Sequence, residues 1–405
     1  MAASKGQKFG GAVIHMNDVK FVVGSEVVSR TPLRPFSEEA IAFLAHLSKN
    51  LLRLPEARRY ADITAFGFWC RKANLQSMET MYPDALVRLG RGLCLHIAPG
   101  NVPINFVFSY AFGLLAGCSN LVRLPSKQFP QVDIVCREIA ALLPQYPEIA
   151  ARTAMVRYPA SDEITAHWSR QADARIIWGG DSTVASLKAL PSSPRCVDVC
   201  FADRYSLCLL NPKAIEQAEE QTIESLAEQF YNDTYLMDQN ACSSPQLVVW
   251  TEDSQNGRTR FWDAVFQVAK RQYSLQDAVS VDKYTQLLSD ILCRDAVCDV
   301  WKRENILYGV ELSSLPEDVT ELRGKGGYFY EYMLQAWSEL EQIVTEKYQT
   351  LTYFGLDAEE IRRFIIEHCL RGIDRVVPVG KALDIGIVWD GYDLVRTLSR
   401  QIEAV

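Results

Sequence analysis

A basic excess is missing from this sequence: 42 Lys and Arg face 50 Asp and Glu across 405 residues, a formal net charge of −8. A general nucleic-acid binder would show the opposite balance. Long apolar runs are missing too, so no membrane span is expected. Met1 to Lys8 hold no apolar stretch of the kind a secretory signal carries, which points to the cytoplasm. There is no internal repeat, no low-complexity tract and no G-x-G-x-x-G fingerprint. The 11 cysteines are odd in number, and the local pairs Cys196/Cys200 and Cys293/Cys298 lack a histidine or second pair at zinc-site spacing. No metal is therefore expected. All but one of the cysteines read as buried free thiols in a reducing compartment.

What is present is an ordinary globular balance, 48% hydrophobic and 23% charged. The length exceeds one ordinary core and predicts two domains or one large α/β unit. Residues 11–29, rich in Val, predict short strands or a hairpin. Ser37, followed by Glu38 and Glu39, predicts a helix N-cap. Beyond it, short apolar runs at 93–98, 120–124, 153–157 and 174–178 alternate with helical patterns at 104–116, 131–143 and 162–171. Such alternation predicts a parallel sheet covered on both faces. Val197 to Leu210 adds a further strand or two, Lys213 to Leu236 turns helical and acidic, and Leu247 to Trp250 is another strand. The expected division is a nucleotide-binding α/β domain over 1–212, a second α/β domain over 213–370, and a closing segment over 371–405.

Two glycine-bearing turns, Pro99-Gly100-Asn101 and Gly179-Gly180-Asp181, follow strands and precede helices. Helix N-termini there offer free N–H groups to phosphate. Equally, the glycines could serve only to tighten a crossover. Cys242 lies among small residues, Asn240-Ala241-Cys242-Ser243-Ser244-Pro245, just before an apolar strand. A thiol so flanked can be approached closely by a substrate and by backbone donors, which suits a nucleophile and equally an incidental loop cysteine. His96 is expected to be polar support beside the first turn rather than a catalyst. Arg375 and Lys381 are expected to be solvated charges rather than phosphate ligands. Trp389 and Tyr392 either line a channel or simply pack.

These features share the chain with longer motifs: AFGFWCRKANL (65–75), HIAPGNVPINFVFSYAFGLLAGCSNLVRLPSK (96–127), WGGDSTV (178–184), DRYSL (203–207), NACSSPQ (240–246), GIDRVVPVGKALD (372–384) and WDGYDLV (389–395). In them the chain resembles the LuxC acyl-CoA reductases, a branch of the aldehyde dehydrogenase superfamily, over most of its length. The resemblance implies an aldehyde dehydrogenase-like α/β fold: two α/β domains, one with a doubly wound nucleotide-binding sheet. It implies that Cys242 is the nucleophile and that the Asn101 side-chain amide helps to bind the oxyanion. Arg123, Ser126 and Lys127 would meet the adenosine ribose. Ala98 and Gly100 in the first turn, and Gly179, Gly180, Asp181 and Ser182 in the second, would line the rest of the cofactor site. There is one departure. Aldehyde-oxidising members carry a general-base Glu in a Glu-Leu-Gly-Gly-Lys run; here the stretch reads Phe201-Ala-Asp-Arg-Tyr-Ser-Leu207, and nearby Asp203 is not assigned that role.

Hydrolysing a thioester needs an activated water, whereas exchanging it with CoA does not, so the missing Glu tilts the expected chemistry toward reduction. The expected activity is reduction of an acyl-CoA or acyl-protein thioester, fatty acyl by resemblance, to the aldehyde through an acyl–Cys242 intermediate. Asn101 and the Cys242 N–H would hold the oxyanion. A nicotinamide cofactor would supply hydride. Two cations and no acid in Arg123-Leu-Pro-Ser-Lys127 favour NADPH, unless those charges are merely solvated. The resemblance also implies an acyl-protein synthetase (LuxE-like) partner and a homodimer or higher even assembly. Two alternatives stay open: an aldehyde dehydrogenase running toward the acid, and a non-catalytic scaffold for an acyl-transferring partner.

Overall fold

The computed structural model describes residues 18–100 and 102–404. The chain forms two compact units, one running to Ala202 and resuming at Tyr392, the other spanning Asp203–Gly391.

The first unit holds a six-stranded sheet built from β1 (Lys20–Val23), β3 (Leu93–Ile97), β4 (Ser119–Arg123), β5 (Thr153–Arg157), β6 (Ala174–Trp178) and β7 (Val197–Phe201), with β2 (Arg88–Gly90) outside it. Its order is β1-β5-β4-β3-β6-β7, and all neighbours are parallel except the edge strand β1. From β3 the chain lays β4 and β5 to one side, then crosses back to lay β6 and β7 on the other. That reversal is the switch point of a doubly wound sheet. Strand β3, Leu-Cys-Leu-His-Ile, is buried along its whole length. The helix Asn105–Leu115 that follows is apolar almost all round and buried from Phe106 onward, as a helix inside a layered core must be. Gly117 ends it at φ +81°, where an added Cβ would lie 2.2 Å from the Leu33 carbonyl oxygen. Ser37 caps the helix Glu38–Arg53 by accepting from the Ala40 N–H at 3.3 Å. Among the described residues, β1 is the one strand within the stretch expected to form a hairpin, and residues 11–17 of that stretch lie outside the description. A strand at Ser399–Gln401 pairs antiparallel with β2 and ties the chain's last elements to this unit.

The second unit holds a seven-stranded sheet built from β8 (Tyr205–Leu210), β9 (Leu247–Trp250), β10 (Val297–Arg303), β11 (Leu307–Leu312), β12 (Tyr328–Met333), β13 (Tyr348–Phe354) and β14 (Arg375–Pro378). They run in the order β10-β11-β12-β9-β8-β13-β14, parallel except for the edge strand β10. Successive side chains of β8 go to opposite faces: Leu207 and Leu209 join Tyr308, Tyr328 and Tyr330 on one, Cys208 and Leu210 join Phe230 and Trp262 on the other. Both faces are therefore core, which is why β8 is buried throughout.

The division at Ala202/Asp203 falls ahead of the boundary at 212 expected from sequence, because β8 joins the second sheet through β9 and β13. The stretch 371–405 is likewise shared: β14 through Gly391 belongs to the second unit and the remainder to the first. A strand buried on both faces carries no mark of which sheet it will enter, since either core would accept it.

Candidate active site

At the carboxyl ends of β3, β4, β5 and β6 the first unit encloses a cavity of about 480 Å³. Ala98 and Gly100 line it from the turn after β3, Arg123 and Ser126 from the end of β4, and Gly179, Gly180 and Ser182 from the turn after β6. This is the crevice where open α/β sheets bind nucleotides. The glycine at 180 is informative. Its backbone, φ −67° and ψ 164°, would accept any residue, and an added Cβ would meet nothing within 4 Å. The fold itself has no need of a glycine there. It stands at the N-terminus of the helix Asp181–Lys188, whose first N–H groups lack intrahelical partners and suit an anion. A nucleotide phosphate is a group for which that bare backbone makes room.

The other expected cofactor residues are less concentrated. Asp181 is exposed and opens that helix. Lys127 is exposed, lies outside the cavity lining, and has its ammonium 5.3 Å from the centre of the Phe129 ring. Arg123 stacks over Tyr158 at 4.5 Å. Sequence reasoning missed Asp162, which also lines the cavity from the helix that follows β5. The sequence offered only a helix-starting acid; its place in the same cavity lining as Arg123 is made by the sheet. Asn101 lies outside the described residues.

His96 is wholly buried and its ring is satisfied on both sides. The Asn120 carboxamide donates its N–H to the Cys118 carbonyl, so its oxygen, 2.9 Å from His96 Nε2, takes that nitrogen's hydrogen. Nδ1 is left to accept from Ser109 Oγ at 2.8 Å, and Ser109 in turn accepts from the Trp178 indole at 3.2 Å. Burial pulls His96 down to about 4, so it is a neutral support under the cavity.

Cys242 lies in the second unit, half-buried in the segment between a short helical turn at Tyr235–Met237 and β9. Asp238 and Gln239 both adopt positive φ, 49° and 57°, and so end the preceding helix sharply. Two buried glutamines then pin the segment. Gln239 donates to the Tyr328 carbonyl and accepts from the Gly327 N–H, while Gln246 donates to the Gln239 carbonyl and accepts from the Gly324 N–H. Ser206 Oγ donates to the Cys242 carbonyl at 2.7 Å. Burial raises the thiol above its ordinary value and the Asp390 carboxylate adds to this; a hydrogen bond from Gln349 and the Arg204 cation oppose them. Asp203 is ion-paired with Arg323 at 3.0 Å.

Two expectations need correcting. Arg375 is not a solvated charge: its guanidinium donates to the carbonyls of Lys381, Ala382 and Asp384 and lies over the buried Trp389 ring at 4.4 Å. Carbonyls turned inward by the 380–384 turn take up its donors, a partnership invisible in sequence. Lys381 is exposed and paired with Asp384. Nor are the remaining cysteines uniformly buried: Cys293, Cys298 and Cys369 are exposed. Each lies at the end of a surface element, where apolar character alone does not secure burial. Among the described residues no cluster of His, Cys, Asp and Glu could hold a metal. No described helix is long and apolar enough to cross a membrane.

The sequence profile of the family described as acyl-CoA reductase (LuxC) matches residues 71–289, from the helices before β3 to the second helix after β9. The chain belongs to this family. It is 23% identical over 331 residues to the long-chain acyl-protein thioester reductase of Vibrio harveyi, a match covering 78% of this chain and 64% of that protein. The chain thus spans somewhat under two thirds of that relative. Among solved structures it resembles an NAD-dependent benzaldehyde dehydrogenase from Corynebacterium glutamicum, at 12% identity and TM-score 0.57 over 90% of this chain and 84% of the other. A 1-pyrroline-5-carboxylate dehydrogenase from Thermus thermophilus gives 12% and 0.58 over 91% and 81%. A bifunctional proline utilization A protein gives 14% and 0.60, but this chain covers only 42% of it. The fold of the LuxC-family chain is thereby that of the aldehyde dehydrogenases.

Proposed function

We propose that this chain reduces an acyl thioester to the aldehyde through a covalent acyl–Cys242 intermediate, with NADPH as the reductant. The observation that carries the reading is the rigid seating of a half-buried thiol between two glutamine anchors and the Ser206 hydroxyl. Ser206 holds the Cys242 carbonyl directly, and Gln239 and Gln246 pin the segment on either side of it, more buried polar anchoring than an incidental loop cysteine needs. The Cys242 thiolate attacks the thioester carbonyl, and the donor's thiolate leaves and takes up a proton. Asn101 and the Cys242 N–H are the oxyanion donors in this scheme. NADPH, when bound, would supply hydride to the acyl carbon; the bond from that carbon to the Cys242 sulfur then breaks, releasing the aldehyde and returning the Cys242 thiolate. The walls bearing Ala98, Gly100, Arg123, Ser126, Gly179, Gly180 and Ser182 hold its nucleotide portion. With Asp203 engaged by Arg323, no carboxylate in the DRYSL segment is left to activate water, which favours aldehyde over acid as product.

Long-chain donors on CoA or on a protein are the substrates of choice, given the family and the name of the Vibrio harveyi relative. An acyl-protein synthetase partner, an even-numbered homo-oligomer and a reducing cytoplasmic setting complete the proposal; light scattering of the purified chain checks the assembly. The deciding experiment is intact-mass spectrometry after incubation with a long-chain acyl-CoA and no cofactor. The wild type should gain one acyl group and Cys242→Ala none. Reduction by Cys242→Ala at a comparable rate would show that hydride reaches the bound thioester directly, and the covalent scheme would be wrong.

A further inference from the structure

Three separate stretches of the second unit meet around Cys242: DRYSL supplies Arg204 and Ser206, the start of β13 supplies Gln349, and WDGYD supplies Asp390. Strand β13 pairs with β8 through a bulge: Tyr348 faces Tyr205 but Leu351 faces Leu207, so β13 carries one extra residue between them. Bulges re-aim side chains, and this one falls on Gln349 and Thr350. The Thr350 N–H that the bulge releases from the ladder donates to Ser206 Oγ at 3.2 Å, and the same hydroxyl holds the Cys242 carbonyl. Gln349 is buried, and its Nε2 donates to Asp390 Oδ1 at 3.0 Å. Asp390 is itself buried at φ +52°, a conformation that L residues rarely adopt. Gly391 follows at φ +78°, where a Cβ would come within 2.9 Å of Asp374. Arg204 closes the arrangement by pairing with Asp390 at 2.8 Å and with Asp374.

We propose that Gln349 and Asp390 are a positioning pair for Cys242: Asp390, ion-paired with Arg204, orients the Gln349 carboxamide so that its N–H meets the Cys242 sulfur. An ionised carboxylate only accepts hydrogen bonds, so the amide must turn its nitrogen toward Asp390. The second hydrogen on that nitrogen is then free for the sulfur. The pair acts on the thiolate with opposite signs, since the Gln349 dipole stabilises it and the Asp390 charge repels it. Arg204 and Arg375 are the cations that feel the sulfur, and Asp374, Asp233 and Asp384 stand next to them. Placed on this frame, the thiol is held for attack without being permanently ionised. A resting thiolate would be open to oxidation and alkylation.

The meaning of the pair for catalysis rests on the covalent reading above, but the test does not. The full chain is treated with iodoacetamide between pH 6 and 10, and modification at each cysteine is followed by peptide mass spectrometry. Gln349→Met should raise the apparent pKa of Cys242 and slow its alkylation at pH 7 by roughly tenfold, the equivalent of one pKa unit. Asp390→Asn keeps an acceptor for the carboxamide while removing the charge, and should speed alkylation by roughly threefold or more. Exposed Cys293, Cys298 and Cys369 should react as in the wild type, and buried Cys70 and Cys94 should stay protected, as controls for folding. Should either variant lose that protection, Gln349→Leu and Asp390→Ser must give the same two signs. Shifts of one sign for both residues, or none with the controls unchanged, overturn the proposal. Survival of acyl-CoA reduction in Cys242→Ala would overturn the nucleophile instead, leaving the pair's effect on the thiol to stand or fall separately.

Discussion

The two parallel sheets put their candidate chemistry at opposite ends. In the first unit the cavity opens at the carboxyl ends of the strands, where the helix Asp181–Lys188 starts with backbone N–H groups that have no intrahelical partners. In the second unit Cys242 precedes β9, and its partners Ser206 and Gln349 stand near the starts of β8 and β13, so the thiol lies at the amino ends. Helices returning from the far edge of a parallel sheet end there, bringing carbonyls and a negative dipole end that disfavour a thiolate. That edge cannot supply the charge stabilisation a cofactor cradle receives from its helices. In the second unit the groups that oppose the raised thiol are side chains instead, the Gln349 carboxamide and the Arg204 cation. One site is made of backbone and needs glycines; the other is made of a buried polar network and needs a bulge and left-handed residues to assemble it.

The comparison breaks most readily at Asn101. If this residue is the oxyanion donor that the family resemblance implies, Asn101→Ala should leave Cys242 alkylatable yet slow acylation by roughly 10²–10³, as read by single-turnover thioester formation. Acylation at the wild-type rate would confine the covalent step to the second unit's own groups. A smaller effect is expected at Gly180. Gly180→Ala meets no protein atom and should cost under about 1 kcal/mol of stability as a changed helix cap. If the bare backbone seats a phosphate, cofactor affinity in a fluorescence titration should nevertheless fall by about tenfold, or ~1.4 kcal/mol. Unchanged affinity would mean that the glycine there serves no ligand.

Cofactor choice should move by less still, because a cation and an acid share the cavity. Arg123→Ala should weaken NADPH binding more than NADH binding, by several-fold in the ratio, with a small addition from Lys127→Ala since that ammonium lies outside the lining. Asp162→Asn should shift the ratio back toward NADPH by removing a repulsion. Equal losses for both cofactors would show that Arg123 does not read the extra phosphate.

The mildest contrast is in stability against pH. His96 in the first unit is held near 4, below its ordinary 6.5, so the folded chain declines a proton that the unfolded chain accepts. Its contribution makes the first unit lose stability as pH falls from about 6.5 toward 4, by at most ~1.4 kcal/mol per pH unit. Asp233 in the second unit is pushed the other way, up to about 7 by burial, against the opposing hydrogen bonds it accepts from the Gly380 and Ala382 N–H groups. Its contribution is full below 3.8 and is lost as pH rises toward 7. Urea unfolding between pH 5 and 7 should show a flatter acid-side decline in His96→Gln, and a slope of the opposite sense removed in Asp233→Asn. Identical pH profiles in both variants and the wild type would mean that neither buried group sets the balance.

Local pattern made much of this protein legible. The alternation of apolar runs and helical stretches from Leu93 to Trp178 marks strands and helices whose bounds agree with the structure to within a residue or so, because each is decided by neighbours in sequence. Both glycine turns are equally local, so the walls of the cavity were visible as a list of residues before they met. Even the Cys242 segment was conspicuous as small polar residues before an apolar strand. What tertiary structure alone decided is partnership at long range. The sheet that β8 joins, the carbonyls that hold Arg375, the acid that shares Arg123's cavity, and the meeting of Arg204, Ser206, Cys242, Gln349 and Asp390 depend on strands paired across gaps of up to well over a hundred residues. Hydrophobic period fixes which face a residue shows but not which strand lies beside it, and a buried polar network exists only once those neighbours are chosen.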